Sequence, residues 1–286
     1  SCGTSLGKTK CKSASLEPLQ SILAHDFEQL CAEHVDFFQN NLQTQFDYYQ
    51  FSKKTARAKN PLYHSDDLIS YMALYGWGHY LRMQAVFAHS FQYSTFEKHI
   101  PIQACIVDYG CGQGIATLAW IEYVLDQGYS IDRLDVILVE PSAAALARAS
   151  HWITQKAQHH DIKLNIIHHA CTLDELEPDF MAANINQLPS IHLLSNVLDM
   201  YLSVQFSMSH LCHEMKQYAR HSKHYVYAVS PDFITGNKGF DTFHQLLSPQ
   251  QLYLNHHGTV RITEYNLNSR CIQERPAPIR AYAACI

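Results

Sequence analysis

The chain contains no uninterrupted apolar run long enough to cross a membrane, a length of about 20 residues, so a soluble protein is expected. Ser1 to Ser15 is polar and holds no apolar segment, and no secretory signal is read there. No Cys-x-x-Cys pair occurs among the nine scattered cysteines, an odd number. A reducing, cytoplasmic setting is the simplest one for such cysteines. Clustered cations are missing too. The formal net charge is −5, which disfavours a broad nucleic-acid surface. One local basic run, Lys53 to Lys59, reads as a solvated loop or helix end. The nineteen histidines never form a run of six. There is no internal repeat and no low-complexity tract. What is present is 286 residues with 47% apolar content, enough for one large domain, or one domain with a cap, around a sizeable core.

The stretch Ile106-Val107-Asp108-Tyr109-Gly110-Cys111-Gly112-Gln113-Gly114 organises the rest. Ala104 to Val107 reads as a buried strand. Three glycines at alternate positions follow. Then Ile115, Leu118, Ala119, Ile121, Glu122 and Leu125 carry the 3.6-residue period of a helix packed on a sheet. Strand, glycine turn and helix together make a weak pattern useful. Glycine permits φ > 0 and close approach of a ligand, and the helix N-terminus offers free N–H groups. The pattern is Asp-x-Gly-x-Gly-x-Gly. It is not Gly-x-Gly-x-x-Gly, which counts against a nicotinamide oxidoreductase, and it lacks the Gly-Lys-Ser/Thr ending of a phosphate-binding loop. Asp108 repels phosphate and suits an ammonium or a hydroxyl. A second strand, Asp135 to Val139, ends in Glu140, 26 positions past Gly114. In nucleotide-binding βαβ units an acidic residue about 20 positions on takes the ribose hydroxyls.

This pairing resembles the class I S-adenosylmethionine-dependent methyltransferases, over roughly Ile102 to Ile286. The resemblance implies an α/β fold: a doubly wound, Rossmann-like, mostly parallel seven-stranded sheet, here with an N-terminal helical cap. It implies S-adenosyl-L-methionine as cofactor. Asp108, Gly110, Gly112 and Gly114 then belong to the methionine side, and Glu140 to the ribose. Cys171, at the third strand tip, flanks the adenine, where many relatives carry an Asp. Ser142 and Ser195, at the second and fourth tips, complete the expected cofactor set.

Read in order, 1–15 is a mobile segment rich in Lys, Ser, Thr and Gly, 16–100 is the helical cap, and 101–286 is the cofactor-binding domain. Leu19, Ile22, Leu23, Phe27, Leu30, Cys31, Val35 and Phe38 recur at helical spacing, with helix continuing to about Phe51. A second helical region starts near Ser65, read as its N-cap, and runs past Phe87. Gly76 and Gly78 inside it signal a kink or close packing. From Ile102 the alternation of strands and helices predicts a parallel sheet. Helices are expected at 112–127, 143–158, 173–183, 203–220 and 241–246. Strands are expected to Asp108, to Glu140, and at 164–168, 191–195, 224–229, 259–265 and 269–273. The last two match the family's closing antiparallel hairpin.

The fourth tip reads Ser195-Asn196-Val197-Leu198-Asp199-Met200-Tyr201. It lacks the [Asp/Asn/Ser]-Pro-Pro-aromatic signature of enzymes that methylate base or glutamine amino groups, and no Pro-Cys pair offers a cysteine nucleophile. A small-molecule or protein acceptor is therefore expected, bound between the cap and the strand tips. Asn196 and Asp199 are candidates to orient it; Ser195-Asn196 as a plain helix cap is the alternative. Asp199, His79 and Tyr49 are candidate bases. His210, Cys212, His213 and Glu214, with His221 and His224, lack zinc spacing and read as a helix surface, so no metal is expected. A catalytically degenerate fold serving as a binding scaffold is the competing function.

Overall fold

The computed structural model describes residues 26–55, 61–177, 180–181, 188–204, 206–219 and 222–286. The expected segment 1–15 and part of the Lys53–Lys59 run lie outside them. The first helix, α1 (Phe27–Phe37), is capped by Asp26, whose carboxylate accepts the Glu28 and Gln29 N–H groups. A π-helical turn (Phe38–Leu42), a 3₁₀ turn (Gln43–Gln45) and α2 (Tyr48–Thr55) follow. Then α3 (Ser65–Tyr71), a π-helical turn (Met72–Gly76) and α4 (Trp77–Ser90) make one run of helix. Its N-cap is His64, one residue before the Ser65 expected, and makes no side-chain capping bond. A Cβ on Gly76 would lie 2.5 Å from Met72 Sδ and 3.6 Å from Cys31 Sγ. That glycine serves close packing against α1.

The α/β part runs β1 (Ile102–Tyr109), α5 (Ile115–Asp126), β2 (Ile131–Val139), α6 (Ala143–His159), β3 (Lys163–His169), β4 (Ser190–Ser195), α7 (Tyr201–Val204), α8 (Met208–Gln217), β5 (His224–Pro231), α9 (Ile234–Leu247), β6 (Gln251–Asn266) and β7 (Cys271–Cys285). The sheet order is β3-β2-β1-β4-β5-β7-β6. The first five strands are parallel, while β7 runs antiparallel to both β5 and β6. This is the doubly wound, mostly parallel seven-stranded sheet expected from the sequence. The order reverses between β1 and β4, and ligands bind such sheets outside the carboxyl ends of the strands at that switch point. Asp108 is in register with Leu138 on one side and Leu193 on the other, so three strand tips are level there.

Both faces of β1 are buried, as its unbroken apolar run requires. On one face Ile106, Leu134, Trp120, Trp152 and Tyr227 share a continuous core with Phe27, Leu30, Ile69, Met83 and Phe87 of the N-terminal helices. On the other face Val107, Ile137, Leu194 and Val226 meet Met215, Phe240 and Phe243. No helix among the described residues is long and apolar enough to cross a membrane.

Several local expectations need correction. Of the helix expected at 173–183, the described residues show a 3₁₀ turn, Leu173–Glu175, and those after it are not helical; 178–179 and 182–183 lie outside the described residues. The long helix expected at 203–220 is broken. Ser207 starts a new helix by accepting the His210 N–H, and a serine in that role competes with continued helix. The short helix at 241–246 begins earlier, at Ile234, and the closing strands are 16 and 15 residues long. Pro276 and Pro278 hid the length of β7. They lie before Ile279, in the part of the strand that β6 pairs and β5 does not, where a missing N–H is tolerated.

Candidate cofactor and acceptor site

At the end of β1 the chain turns through Gly110, Gly112 and Gly114 at φ +58°, +52° and +82°, values that strain any side-chain-bearing residue. Their surroundings differ. A Cβ on Gly114 would lie 3.0 Å from Ala149 Cβ and 3.2 Å from Ile153 Cδ1, so this glycine lets α6 close on the loop. One on Gly110 would meet Val197 Cγ2 of the fourth tip at 3.3 Å, and one on Gly112 would meet nothing within 4 Å. Gly112 is thus the open face of the loop.

Glu140 stands beside that face. Its Oε1 accepts the Gly112 N–H at 3.1 Å and its Oε2 the Ser142 N–H at 2.9 Å. A carboxylate offers about four lone-pair directions, so each oxygen keeps capacity for a further donor. Burial raises the Glu140 pKa, and the two backbone donors oppose the rise. Ser142 itself is committed to structure. Its hydroxyl accepts the Ala145 N–H at the start of α6 and donates to the Leu62 carbonyl.

Asp108 is 1% exposed. Its Oδ2 accepts the Thr117 hydroxyl at 2.7 Å and the Thr117 N–H at 3.3 Å, which fastens the loop to the first turn of α5. Burial pushes the carboxyl up to about 7 against the pull of those bonds. Gln113 ties the loop to two helices directly and to a third through Arg148. Its Nε2 donates to the Leu68 carbonyl of α3, and its Oε1 accepts from Arg148 Nε of α6. Arg148 in turn donates to His34 Nε2, while His34 Nδ1 donates to the Leu30 carbonyl of α1. Burial and the Arg148 charge lower the His34 pKa to about 3, so the ring is neutral.

Cys171 lies at the β3 tip in an open depression with His168, His169, Ala170, Glu175 and Glu177. The Glu140 N–H donates to the His169 carbonyl at 3.1 Å, which sets this tip next to the second. At the fourth tip Ser195 Oγ accepts from Asn196 Nδ2 at 3.4 Å. Asn196 has φ +56°, a conformation rare outside glycine, and its buried Oδ1 has no hydrogen-bond partner among the described residues. Asp199 accepts the Ser230 hydroxyl of β5 at 2.9 Å. Burial raises its pKa, with Ser230 the leading opposing influence. Helix α9 presses on this turn so closely that a Cβ on Gly239 would lie 1.8 Å from the Leu198 carbonyl oxygen.

Tyr49 does not join this group. It is 63% exposed, with Lys53 Nζ 4.3 Å over its ring. The N-terminal helices bring other residues instead. Tyr71, Tyr75 and His79 recur at four-residue spacing and touch: ring centroids are 5.1 Å apart for Tyr71–Tyr75, 6.3 Å for Tyr75–His79 and 5.7 Å for Tyr71–His79. The charges of Asp199, Glu140 and Arg82 all act on the Tyr71 hydroxyl, whose pKa burial raises first of all. Burial and Arg82 lower His79 to about 3. In the sequence Tyr71 is one aromatic among many in the N-terminal helices, and nothing there marks Arg82. Among the expected metal-type residues, His210 bonds the Leu176 carbonyl and Glu214 bonds Gln217; His221 lies outside the described residues.

No family model matches the chain, and no curated protein matches it. Solved structures with a similar fold include three methyltransferases. The human methyltransferase 10 domain containing protein is 9% identical, with TM-score 0.42, covering 71% of this chain and 81% of that one. The delta-N METTL16 MTase domain is 8% identical, with TM-score 0.41 and the same coverage of 71% and 81%. The geranyl diphosphate C-methyltransferase from Streptomyces coelicolor A3(2), solved with S-adenosyl-L-homocysteine, is 12% identical, with TM-score 0.36, covering 80% and 84%.

Proposed function

We propose that this chain is an S-adenosylmethionine-dependent methyltransferase whose acceptor, a small molecule or a protein, binds between the N-terminal helices and the tips of β4 and β5. One observation carries the reading. The Gly112 turn is held at positive φ with its face open, and the Glu140 carboxylate stands within hydrogen-bond reach of it. An acidic group beside an open glycine turn suits a ribose diol, and the Asp108 carboxylate at the start of the turn suits the cofactor's ammonium and repels phosphate. When bound, the cofactor supplies an electrophilic methyl group on a sulfonium centre.

The chain's own part is placement. Glu140 takes the ribose hydroxyls and Gly112 gives the backbone room. Gly110 and Gly114 keep the loop against β4 and α6. The unpartnered Asn196 Oδ1 orients an acceptor N–H or O–H, and alignment alone supplies several kcal/mol of a displacement barrier. Asp199, its pKa raised by burial, accepts the proton an acceptor hydroxyl or ammonium must lose. The N-terminal helices close the cleft with Tyr71, Tyr75 and His79.

Titration calorimetry with S-adenosylhomocysteine and, separately, with NAD tests the proposal. One-to-one binding of S-adenosylhomocysteine and none of NAD is expected. Binding of NAD alone would make the chain an oxidoreductase, and binding of neither would leave a scaffold.

A further inference from the structure

Resting on the methyltransferase reading, we propose that Arg82 anchors an oxyanion, a carboxylate or a phosphate, carried by the methyl acceptor. Arg82 lies on α4 and is 8% exposed. Its Nε is sealed from solvent without a hydrogen-bond partner, and among the described residues none of its nitrogens donates to an acceptor. The other two buried arginines also leave one nitrogen each unmet, Arg148 Nη1 and Arg280 Nε, but their remaining nitrogens are held: Arg148 bonds Gln113 and His34, and Arg280 bonds Asn255 and Asp241. Leaving buried donors unmet is expensive in free energy, so a guanidinium kept in that state marks a place where something else supplies the acceptors.

The position identifies what that is. The charged or ionisable side chains that act on Arg82 are Arg275, Glu264, Tyr71 and Asp199. Glu264 is taken by Arg275, and Asp199 is taken by Ser230. None of them belongs to the glycine loop or to the β2 tip. Tyr71 feels both Glu140 and Asp199, which sets it between the ribose side and the Arg82 side. Arg82 therefore sits between the β4 tip, where the acceptor is proposed to bind, and the β6–β7 hairpin, whose Ile262 Cδ1 lies 3.5 Å from a Cβ built on Gly78. A Cβ on Gly78 would lie 3.1 Å from Arg82 Nη1, so the small residue one turn earlier leaves room for the fork. A guanidinium fork matches carboxylate and phosphate oxygens two at a time. The neighbouring rings of Tyr71, Tyr75 and His79 form an aromatic wall beside it.

Two measurements on the full chain test this separately from the parent reading. Calorimetry with S-adenosylhomocysteine reports the cofactor site. Arginine-labelled NMR reports the Arg82 Nε–H resonance, assigned by its loss in Arg82→Lys, as benzoate or phenyl phosphate is added to protein saturated with S-adenosylhomocysteine. Saturable movement with one of the two anions is expected, and the tighter one identifies the acceptor's acid group. Arg82→Gln should weaken that anion by at least about tenfold, the loss expected for a charge-assisted pair, while S-adenosylhomocysteine affinity changes less than about threefold. If Arg82→Gln misfolds, Arg82→Lys carries the comparison, with weaker but measurable anion binding expected. Unmoved resonance with both anions overturns the proposal. So does a parallel loss of S-adenosylhomocysteine affinity, which would give Arg82 to the cofactor's own carboxylate. Failure of S-adenosylhomocysteine to bind wild-type protein would instead strike the methyltransferase reading.

Discussion

Glu140 and Gly112 meet across the mouth of the sheet: the carboxylate of one accepts the backbone N–H of the other at 3.1 Å. The contact joins the β2 tip to the open part of the glycine turn before any ligand arrives. Glu140→Ala removes that brace and the proposed ribose acceptor together. A charge-assisted hydrogen bond is worth about 1.5–3 kcal/mol, so S-adenosylhomocysteine affinity should fall at least about tenfold. Calorimetry on a variant with unchanged circular dichroism is the check. A loss under about threefold would mean that the side chain serves only the loop.

Two glycines of the turn should separate ligand space from packing. Gly112→Ala places a methyl in open space, and the positive φ costs about 1–2 kcal/mol. Gly114→Ala carries the same backbone penalty and also drives a methyl to 3.0 Å from Ala149 Cβ. The first variant should stay folded and lose cofactor affinity. The second should lose the larger share of thermal stability. Equal melting temperatures for the two would remove the packing role given to Gly114.

Asp108 predicts a pH dependence of definite sign. Its folded pKa, about 7, lies above the ordinary aspartate value near 3.9. A raised carboxyl pKa contributes stability that is fully present below the unfolded value and is lost as pH rises through the folded one. Stability should therefore decline between about pH 4 and pH 7, and Asp108→Asn should flatten that decline. A bound ammonium beside Asp108 would favour the ionised form, so cofactor binding near pH 6.5 should release a proton. Calorimetry in buffers of different ionisation enthalpy detects it. No buffer dependence would place the ammonium elsewhere.

The α/β half was legible because its signals are local. Apolar runs of strand length, glycines at alternate positions, and Glu140 closing the second strand each sit within a few residues of what they report. The site's other wall was not. Arg82 and Tyr71 are marked by partners they meet or lack in space, and no spacing announces a guanidinium without acceptors; Asn196 was named from its strand tip, but its unpartnered Oδ1 could not be. Asp108 and Ser142 stand where expected, yet their oxygens are engaged by Thr117, Ala145 and Leu62. Residue type and position could not show that. Tyr49 illustrates the reverse error, since aromatic content alone does not tell an exposed ring from one turned to the cleft.

The N-terminal helices should prove inseparable from the sheet, and Lys156 tests this. Glu122 of α5 is buried and accepts three donors: the Phe27 N–H at 2.7 Å, the Tyr80 hydroxyl at 2.5 Å and Lys156 Nζ at 2.6 Å. Phe27 begins α1, Tyr80 belongs to α4 and Lys156 to α6, so one carboxylate holds three helices on the face of the sheet. Burial lowers the Lys156 pKa while Glu122 pulls it back up. Lys156→Met keeps the apolar stem and deletes the charge, leaving the buried Glu122 carboxylate without its cation. Breaking a buried pair from one side costs about 3–5 kcal/mol. Urea unfolding of Lys156→Met should show a loss of that size. The added change Glu122→Gln should recover part of it, because the neutral amide keeps its oxygen on the Phe27 N–H and turns its NH2 to the Tyr80 hydroxyl, which can accept as well as donate. Hydrogen exchange in α1 should rise with the single variant, since the Phe27 N–H depends on the same carboxylate. A loss below about 1 kcal/mol, with α1 exchange unchanged, would mean that water reaches Glu122 and that the helices are held by apolar packing alone.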